Sequence, residues 1–166
     1  MAEPKARLLI LGSMPGEASL RAGQYYAHPR NLFWRLLGDV LAEPLAELPY
    51  ERRSVVLAAH GVAVWDVLAS CQRSGSLDTA ILGNSMQVND FVSFLAEHPE
   101  IRHIFFNGTM AARTFRRFVL PQLAVYDLHL QGLPSSSPAH AALDYVQKLE
   151  RWRQALLPIL HALNLA

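Results

Sequence analysis

Four short apolar runs, each followed by a turn of glycine, proline or small polar residues, constrain the fold of this chain most. The runs cover residues 7–11, 62–65, 102–106 and 123–130. Segments with a helical spacing of apolar residues separate them. Strands that alternate with helices in this way predict a mostly parallel sheet with helices on both faces. We therefore predict an α/β fold, namely a three-layer α/β/α sandwich around a four-stranded, mostly parallel sheet.

The predicted helices have recognisable starting residues. Pro29 suits the first turn of a helix that continues to residue 41, because its missing N–H costs nothing there. The other assignments rest on similar cap, turn and breaker residues. They are a helix over 51–59, a loop over 70–85, a cap at Asn89 before a helix over 91–95, a helix beyond Thr109, and a C-terminal helix capped by Ser137 and opened by Pro138.

The totals indicate a globular protein without a broad electrostatic preference. The chain has 166 residues, enough for one domain over residues 1–166 with a real core. Its 51% apolar and 17% charged content is typical of folded chains rather than disordered ones. A net charge of +1 provides no overall footprint for nucleic acid, so any contact with DNA has to come from a local patch.

Cysteine and histidine usage argues against disulfides and metals. Cys71 is the single cysteine, which excludes an internal disulfide and an iron–sulfur cluster held by cysteines. The seven histidines lack the spacing of metal ligands. We see neither a signal-peptide pattern nor an apolar run long enough for a membrane span. We expect a cytoplasmic protein that uses no metal or other cofactor.

Two neighbouring segments combine features that favour a ligand site. The turn after the first run, GSMPG at residues 12–16, allows a ligand to approach the backbone closely. The segment QYYAHPRNLFW at residues 24–34 places aromatic and basic side chains ahead of Asn31, which falls in the first turn of the predicted helix. Both belong at the carboxyl edge of the first strand, where open α/β sheets bind ligands. A strand–loop–helix connection without chemistry also satisfies this spacing, because glycine-rich turns are common.

At these turns the chain resembles the uracil-DNA glycosylase superfamily. GSMPG at residues 12–16 is similar to the first motif of that superfamily, and PS at residues 134–135 to the core of its second. YAHPRNLFW at residues 26–34 is similar to a segment of the mismatch-specific branch. With QY at residues 24–25 and LPSSSP at residues 133–138, the chain looks closest to the hypoxanthine-DNA glycosylase branch. The resemblance runs over nearly the whole chain and implies excision of a damaged base from DNA.

The two motifs depart from those of the relatives at informative positions. Met14 stands where relatives carry a water-activating Asp or Asn, and its side chain can neither accept a proton nor orient water. Ser13 stands where some relatives have glutamate, and Leu133 replaces the histidine that begins the second motif of uracil-specific members. The resemblance to the hypoxanthine branch then implies Asn31 as the main catalytic residue. Ser13 and Glu17, the carboxylate nearest to the first motif, are the other catalytic candidates.

The same resemblance implies a pocket for the extruded base. Tyr26 occupies the position of an aromatic ring that stacks on the base, and packing within the loop is the alternative. Asp66 occupies the position of a base-reading asparagine. Its carboxylate can accept a hydrogen bond from N1–H of hypoxanthine or N3–H of uracil, or else cap the next helix. Met14 and Asn107 complete the predicted base-binding set.

Turns that follow the strands supply the predicted contacts with the DNA backbone. Hydroxyl and backbone N–H groups at a helix start can donate to phosphate oxygens, and a plain turn is the alternative. Arg113, Arg116 and Arg117 share one helix, and a solvent-exposed face is favoured over a DNA-binding patch for them. The predicted backbone-binding residues are Gly12, Gly108, Thr109, Ser135, Ser136 and Ser137.

The sequence thus predicts a monofunctional DNA glycosylase that flips a deaminated base, preferably hypoxanthine, and hydrolyses its N-glycosidic bond. Lys5 and Lys148 lie outside the motifs, so no lysine is placed to form a Schiff base. The alternatives are a mismatch-type uracil or thymine glycosylase, and a non-catalytic nucleotide-binding module suggested by Met14. The expected partner is DNA with a deaminated base rather than a membrane. The expected state is a monomer that joins the nucleoid when it acts.

Overall fold

The computed structural model describes residues 1–164 of the chain. Its strands are β1 (Leu8–Gly12), β2 (Val62–Asp66), β3 (Leu68–Ser70), β4 (Gln87–Val88), β5 (His103–Asn107) and β6 (His129–Leu133). Its α-helices are α1 (Glu17–Ala22), α2 (Phe33–Leu41), α3 (Tyr50–Ala59), α4 (Phe91–Glu97), α5 (Thr109–Thr114) and α6 (Tyr145–Asn164). A π-helical turn over Phe115–Val119 continues α5, and short 3₁₀ turns cover Asp78–Ala80, Gly83–Ser85 and Leu120–Gln122.

The central sheet contains four parallel strands in the order β2–β1–β5–β6. The register places Gly12 opposite Asp66, and Asn107 opposite Leu133. Because the strands run in one direction, their carboxyl ends meet at a single edge, the edge at which α/β sheets bind ligands. The predicted four-stranded parallel sheet is confirmed. β3 and β4 form a separate antiparallel pair beside it.

Alternate residues of β1 face opposite layers of helices. Leu8 and Ile10 are fully buried in a core formed with α2, α3 and α6. Leu9 and Leu11 are fully buried in a second core formed with α4 and α5. Side chains of a strand alternate between the two faces, so a continuously apolar strand requires helices on both. The predicted three-layer arrangement is confirmed.

The first long helix begins later than predicted. Pro29 and Asn31 precede α2, whose first residue is Phe33. The Phe33 N–H donates to the Asn31 Oδ1 at 3.0 Å. Asparagine side chains compete in this way for backbone donors, so they fit ahead of a helix better than within it.

The fourth strand lies closer to the second motif than predicted. The apolar run at 123–130 favoured a strand there, but β6 covers His129–Leu133. Leu123 is instead buried in the core beneath α4 and α5, which explains its apolar character. β6 is an edge strand with several exposed residues, so it lacks the continuous apolar run of a central strand.

The C-terminal helix starts at Tyr145 and not at Pro138. Asp144 and Gln147 cap it reciprocally. The Gln147 N–H donates to Asp144 Oδ1 at 2.8 Å, and the Asp144 N–H donates to Gln147 Oε1 at 3.1 Å. This capping box fixes the helix start, whereas the Ser137 hydroxyl accepts only a local N–H two residues further on.

The cap of α4 is Asp90 rather than Asn89. The Asp90 carboxylate accepts a hydrogen bond from the Ser93 N–H at 3.0 Å. The Asn89 Nδ2 instead donates to the carbonyl oxygen of Asp66 at 2.8 Å, and so ties the end of β2 to the loop before α4. The predicted helix over 51–59 is confirmed to within one residue.

α6 is the longest helix within the described residues, and Pro158 lies inside it. Its Trp152 and Leu156 are fully buried in the core shared with α2. Throughout residues 1–164, no helix combines the length and the apolar character needed to cross a bilayer.

Candidate active site

Gly12 forms the floor of a site at the carboxyl edge of the sheet. A Cβ atom built on Gly12 would lie 2.4 Å from Asp66 Oδ1 and 2.9 Å from the Tyr26 hydroxyl oxygen. The carboxyl group and the phenol therefore converge over a residue without a side chain. Any larger residue at this position has to displace one of the two groups.

Asp66 is a buried carboxyl group at the end of β2, and only 5% of its surface is exposed. Burial raises the pKa of Asp66 to about 7, and the negative charge of Asp78 adds to the rise. The N-terminal ammonium and Arg73 act in the opposite direction. Asp66 is therefore able to exist in either protonation state near neutral pH, as an acceptor when ionised and as a donor when protonated.

Tyr26 is held in a strained backbone conformation over the same floor. Its φ of 55° lies in the left-handed region, which is uncommon for a residue with a side chain. Its ring stacks on Phe33 with centroids 3.7 Å apart and an interplanar angle of 12°. Among the described residues, no group meets its buried hydroxyl at hydrogen-bonding geometry. Burial raises the pKa of the Tyr26 phenol, the charge of Asp66 adds to the rise, and the nearby Asn107 side chain opposes it.

The loop around Tyr26 is fixed by three hydrogen bonds to its backbone. The Tyr25 N–H donates to the Tyr50 hydroxyl at 2.8 Å, and Trp34 Nε1 donates to the Tyr25 carbonyl at 2.9 Å. The Ala27 N–H donates to Ser19 Oγ at 3.1 Å. Strained residues persist where the surrounding contacts determine them, and such residues concentrate at functional sites.

Asn31 is attached to the second motif through its neighbour Leu32. The Leu32 N–H donates to the Ser136 carbonyl at 3.0 Å, and the Asn31 N–H donates to the His28 carbonyl at 2.8 Å. The Asn31 Oδ1 accepts a hydrogen bond from the Phe33 N–H, and its second lone pair remains available. Within residues 1–164 the Asn31 Nδ2 has no hydrogen-bond partner, so the half-buried carboxamide keeps one donor group and one acceptor site for a ligand or water.

Asn107 and Ser136 join the end of β5 to the second motif. The Asn107 Nδ2 donates to Ser136 Oγ at 2.8 Å, and the Ser136 N–H donates to Asn107 Oδ1 at 2.8 Å. Ser136 is completely buried. Gly108 follows at φ 104°, and a Cβ there would lie 3.1 Å from the Cβ of Ser135. The predicted base-binding Asn107 thus also has a structural role, because it fixes the position of the second motif.

The segment 73–78, here called the strap, lies against the first motif. Ser13 Oγ donates to Asp78 Oδ1 at 2.7 Å. The buried Arg73 guanidinium donates to the Pro15 carbonyl, and its Nη1 lies 4.0 Å from Asp78 Oδ1. The Glu17 N–H donates to Ser76 Oγ at 3.0 Å. The strap therefore brings a carboxylate and a guanidinium to a motif that has neither.

A groove lined by residues of α5, β6 and α6 adjoins the second motif. Its volume is about 540 Å³, and it is lined by Arg116, Arg151 and His140 beside Gly108 and Thr109. None of its lining residues within the described part of the chain is acidic. Guanidinium groups match the geometry of phosphate oxygens, so this basic groove suits a phosphodiester backbone.

Comparison with known proteins identifies the family. The family model described as the uracil DNA glycosylase superfamily matches residues 1–161. The chain belongs to this superfamily. The resemblance inferred from the two motifs and from residues 26–34 is thereby confirmed.

Two relatives and one solved structure support the same conclusion. A Methanosarcina acetivorans protein is 36% identical over 138 residues, which cover 83% of this chain and 83% of that protein. A Methanosarcina barkeri protein is 38% identical over 106 residues, or 64% of this chain and 66% of that protein. Both are named hypoxanthine DNA glycosylase. A solution NMR structure from Methanosarcina acetivorans, provisionally described as a uracil DNA glycosylase, matches with a TM-score of 0.79 and 33% identity over 96% of this chain and 94% of that one.

The structure brings some predicted site residues together and leaves others apart. Tyr26, Asp66 and Ser13 gather around Gly12, whereas Glu17 is exposed and pairs with Arg21 at 3.7 Å. Met14, Ser135 and Ser137 are half-buried, and Thr109 is exposed at the start of α5. Gly12 and Ser136 are buried, and their contact with the DNA backbone stays a prediction, as does the base contact of Met14.

Sequence reasoning missed the strap and the basic groove. The strap belongs to a polar loop without periodicity, so nothing in its sequence indicates which motif it contacts. The sequence groups Arg116 with Arg113 and Arg117 on one helix and favours a solvent-exposed face for them, and only the fold brings Arg151 of α6 to the same groove. Across residues 1–164, no group of three or more His, Cys, Asp or Glu side chains is arranged to hold a metal ion.

Proposed function

We propose that this protein is a monofunctional DNA glycosylase that excises a deaminated base, with hypoxanthine preferred over uracil. The observation that carries the proposal is the convergence of the Asp66 carboxyl group and the unpartnered Tyr26 hydroxyl over Gly12. A buried polar group without a partner has a free-energy cost that a ligand can remove. The names of the two Methanosarcina relatives support the choice of hypoxanthine.

The base is recognised by its hydrogen-bonding edge and by stacking. Ionised Asp66 accepts from the N1–H of hypoxanthine, whereas adenine has an acceptor at N1 that a carboxylate repels. The Tyr26 hydroxyl lies in the plane of its ring, so it donates to an acceptor of the flipped nucleotide beyond the stacked base. One face of the Tyr26 ring is covered by Phe33, so the flipped base stacks on the opposite face, with Met14 and Asn107 completing the pocket.

Asn31 positions the water that attacks the sugar. The water oxygen forms a bond to C1′ and the water loses one proton. The C1′–N bond breaks, the electron pair of that bond leaves with the base, and the base then takes up a proton from solvent. The carboxamide holds the water through its remaining donor and acceptor, and its bond to the Phe33 N–H limits its rotation. Positioning of this kind removes part of the entropic barrier without transferring a proton.

The DNA backbone lies along the second motif and the basic groove. Gly108, Thr109, Ser135 and Ser137 contact phosphates close to the flipped base, and the arginines of the groove contact phosphates further along the strand. The DNA backbone at the lesion stays intact, because the two amines nearest the site are already engaged. The N-terminal ammonium donates to the Val64 carbonyl at 3.2 Å. Lys148 is buried, and its Nζ donates to the His140 carbonyl. We propose a monomer that acts in the cytoplasm.

Base release from defined oligonucleotides tests the function. Single-turnover reactions on single- and double-stranded DNA with hypoxanthine, uracil or adenine at one position should release hypoxanthine fastest and leave an alkali-labile abasic site. Faster release of uracil would establish the mismatch-type alternative. Tight binding of free mononucleotides without release from any substrate would establish a nucleotide-binding module.

The catalytic assignment is tested by substitutions at the water-binding and stacking positions. Asn31→Ala should lower single-turnover release about 100-fold, or about 2.7 kcal/mol of barrier, while DNA binding is retained. Asn31→Ser keeps an acceptor for the Phe33 N–H and serves as the control for folding. Tyr26→Ala should cost about 1–3 kcal/mol through the lost stack. If Glu17→Gln greatly lowers the rate of base release while Asn31→Ala keeps a near-normal rate, Glu17 and not Asn31 is the residue that positions the water.

A further inference from the structure

We propose that Asp78 of the strap is a positioning residue for hydrolysis, acting through the hydroxyl of Ser13. The inference rests on the proposed function and extends it, because it gives the first motif the carboxylate that Met14 cannot supply. Ser13 and Asp78 are 65 positions apart in the sequence, and only the fold brings them together.

The direction of the Ser13 hydrogen bond determines what this hydroxyl can do. Ser13 Oγ donates its proton to Asp78 Oδ1 at 2.7 Å, so its lone pairs remain to accept a hydrogen bond from another molecule. Ser13 directly follows Gly12, the floor of the site. A water that donates to Ser13 Oγ would therefore be held beside the pocket with its own lone pairs free to attack.

Asp78 is fixed to the first motif and remains accessible. The Arg73 side chain is only 6% exposed, donates to the Pro15 carbonyl and lies 4.0 Å from Asp78 Oδ1, whereas the Asp78 side chain is 43% exposed. Among the described residues, Asp78 Oδ2 has no hydrogen-bond partner. Arg73 Nη1 is buried without a hydrogen-bond partner among the described residues, so the nearby charge of Asp78 offsets part of the cost of burying this guanidinium and helps to hold the strap against the first motif.

The charge of Asp78 also reaches the pocket. Its carboxylate contributes to the raised pKa of Asp66 and, more weakly, to that of the Tyr26 phenol. The same charge favours the positive sugar that develops as the base leaves. The positive charges of the N-terminal ammonium and Arg73 lower the pKa of Asp66 and so partly offset the effect of the Asp78 charge.

The step is balanced as a relay. As the water oxygen bonds to C1′ and the C1′–N bond gives its electron pair to the base, the water proton passes to Ser13 Oγ. The Ser13 proton passes at the same time to Asp78, which later returns it to solvent. The base anion takes up a proton from solvent. Water is the co-reactant, and the products are the free base and an abasic site.

The test separates the charge of Asp78 from its hydrogen bond. Asp78→Asn keeps an acceptor for Ser13 Oγ but removes the charge, and it should lower the single-turnover rate about 100-fold, a typical contribution of a positioned acid–base group. The DNA concentration at half-saturation should not change. Asp78→Glu should recover most of the rate. Ser13→Ala should lose a similar factor, and the double variant Ser13→Ala with Asp78→Asn should lose no more than either single variant.

Asp90→Asn is a matched control, because Asp90 also accepts a hydrogen bond from a serine hydroxyl, that of Ser93 at 2.6 Å, but at the start of α4. Its rate should stay within about twofold of wild type, as expected for a residue outside the site. If the wild type is active and the Asp78→Asn variant is equally active, this inference is wrong, whereas the proposed function still stands. Additive losses in the double variant would show that Asp78 does not act through Ser13. A wild type that releases no base would overturn the proposed function as well.

Discussion

Replacement of Gly12 by alanine should inactivate the site while the fold is retained. The added Cβ would lie 2.4 Å from Asp66 Oδ1, although an ordinary contact begins near 3.4 Å, so the carboxyl group has to move by about 1 Å. Gly12 lies outside the left-handed region, and alanine therefore adds no backbone strain. A misplacement of this size costs roughly 100-fold in rate, or about 2.7 kcal/mol of barrier. Overpacking should lower the free energy of unfolding by about 1–3 kcal/mol.

Single-turnover release of hypoxanthine measures the effect on the site, and urea unfolding measures the effect on the fold. Gly83→Ala is the control, because a Cβ at Gly83 meets no atom within 4 Å. A Gly12→Ala variant that folds and keeps the wild-type rate would refute the reasoning. In that case Asp66 and Tyr26 would have to move freely or take no part in holding the base.

The remaining predictions concern the charge of Asp66 and the basic groove. The pKa of Asp66 is raised from 3.8 to about 7 in the folded protein. The contribution of protonated Asp66 to the free energy of unfolding is therefore fully present below pH 4 and is lost as the pH rises toward 7. Asp66→Asn should therefore be more stable than wild type at pH 8, by roughly 4 kcal/mol at most, with no difference near pH 3, as measured by urea unfolding. Arg116→Gln with Arg151→Gln should reduce the slope of log affinity against log salt by about 2. Arg117→Gln, outside the groove, should leave that slope unchanged.

The central strands could be predicted because they are apolar on both faces. In β1 every residue is buried, and β2 and β5 are nearly as apolar, so their positions follow from the sequence alone. Parallel pairing then brings their last residues to one edge whatever the loops do. For this reason the sequence alone predicts that Gly12, Asp66 and Asn107 lie at one edge of the sheet.

Other parts of the fold depend on contacts that no local pattern contains. β6 is an edge strand whose exposed residues give a weaker signal than the buried Leu123 before it. The start of α6 is decided by the reciprocal cap of Asp144 and Gln147, which competes with the equally plausible Ser137 and Pro138. Asn31 illustrates the same limit, since its side chain accepts the N–H of Phe33, the first residue of a helix that begins two residues later.

The site contains two costs that a bound base can remove, which argues that it is preorganised for one. The Tyr26 hydroxyl is buried without a partner in the described residues, a cost of about 1–3 kcal/mol. Ionisation of Asp66 is opposed by burial and by the charge of Asp78. A flipped nucleotide that presents an N–H of its base to the carboxylate and an acceptor to the phenol satisfies both groups at once. A free-energy cost in the empty protein thus becomes selectivity for a base with that N–H, and an abasic site, which lacks it, should bind without this part of the gain.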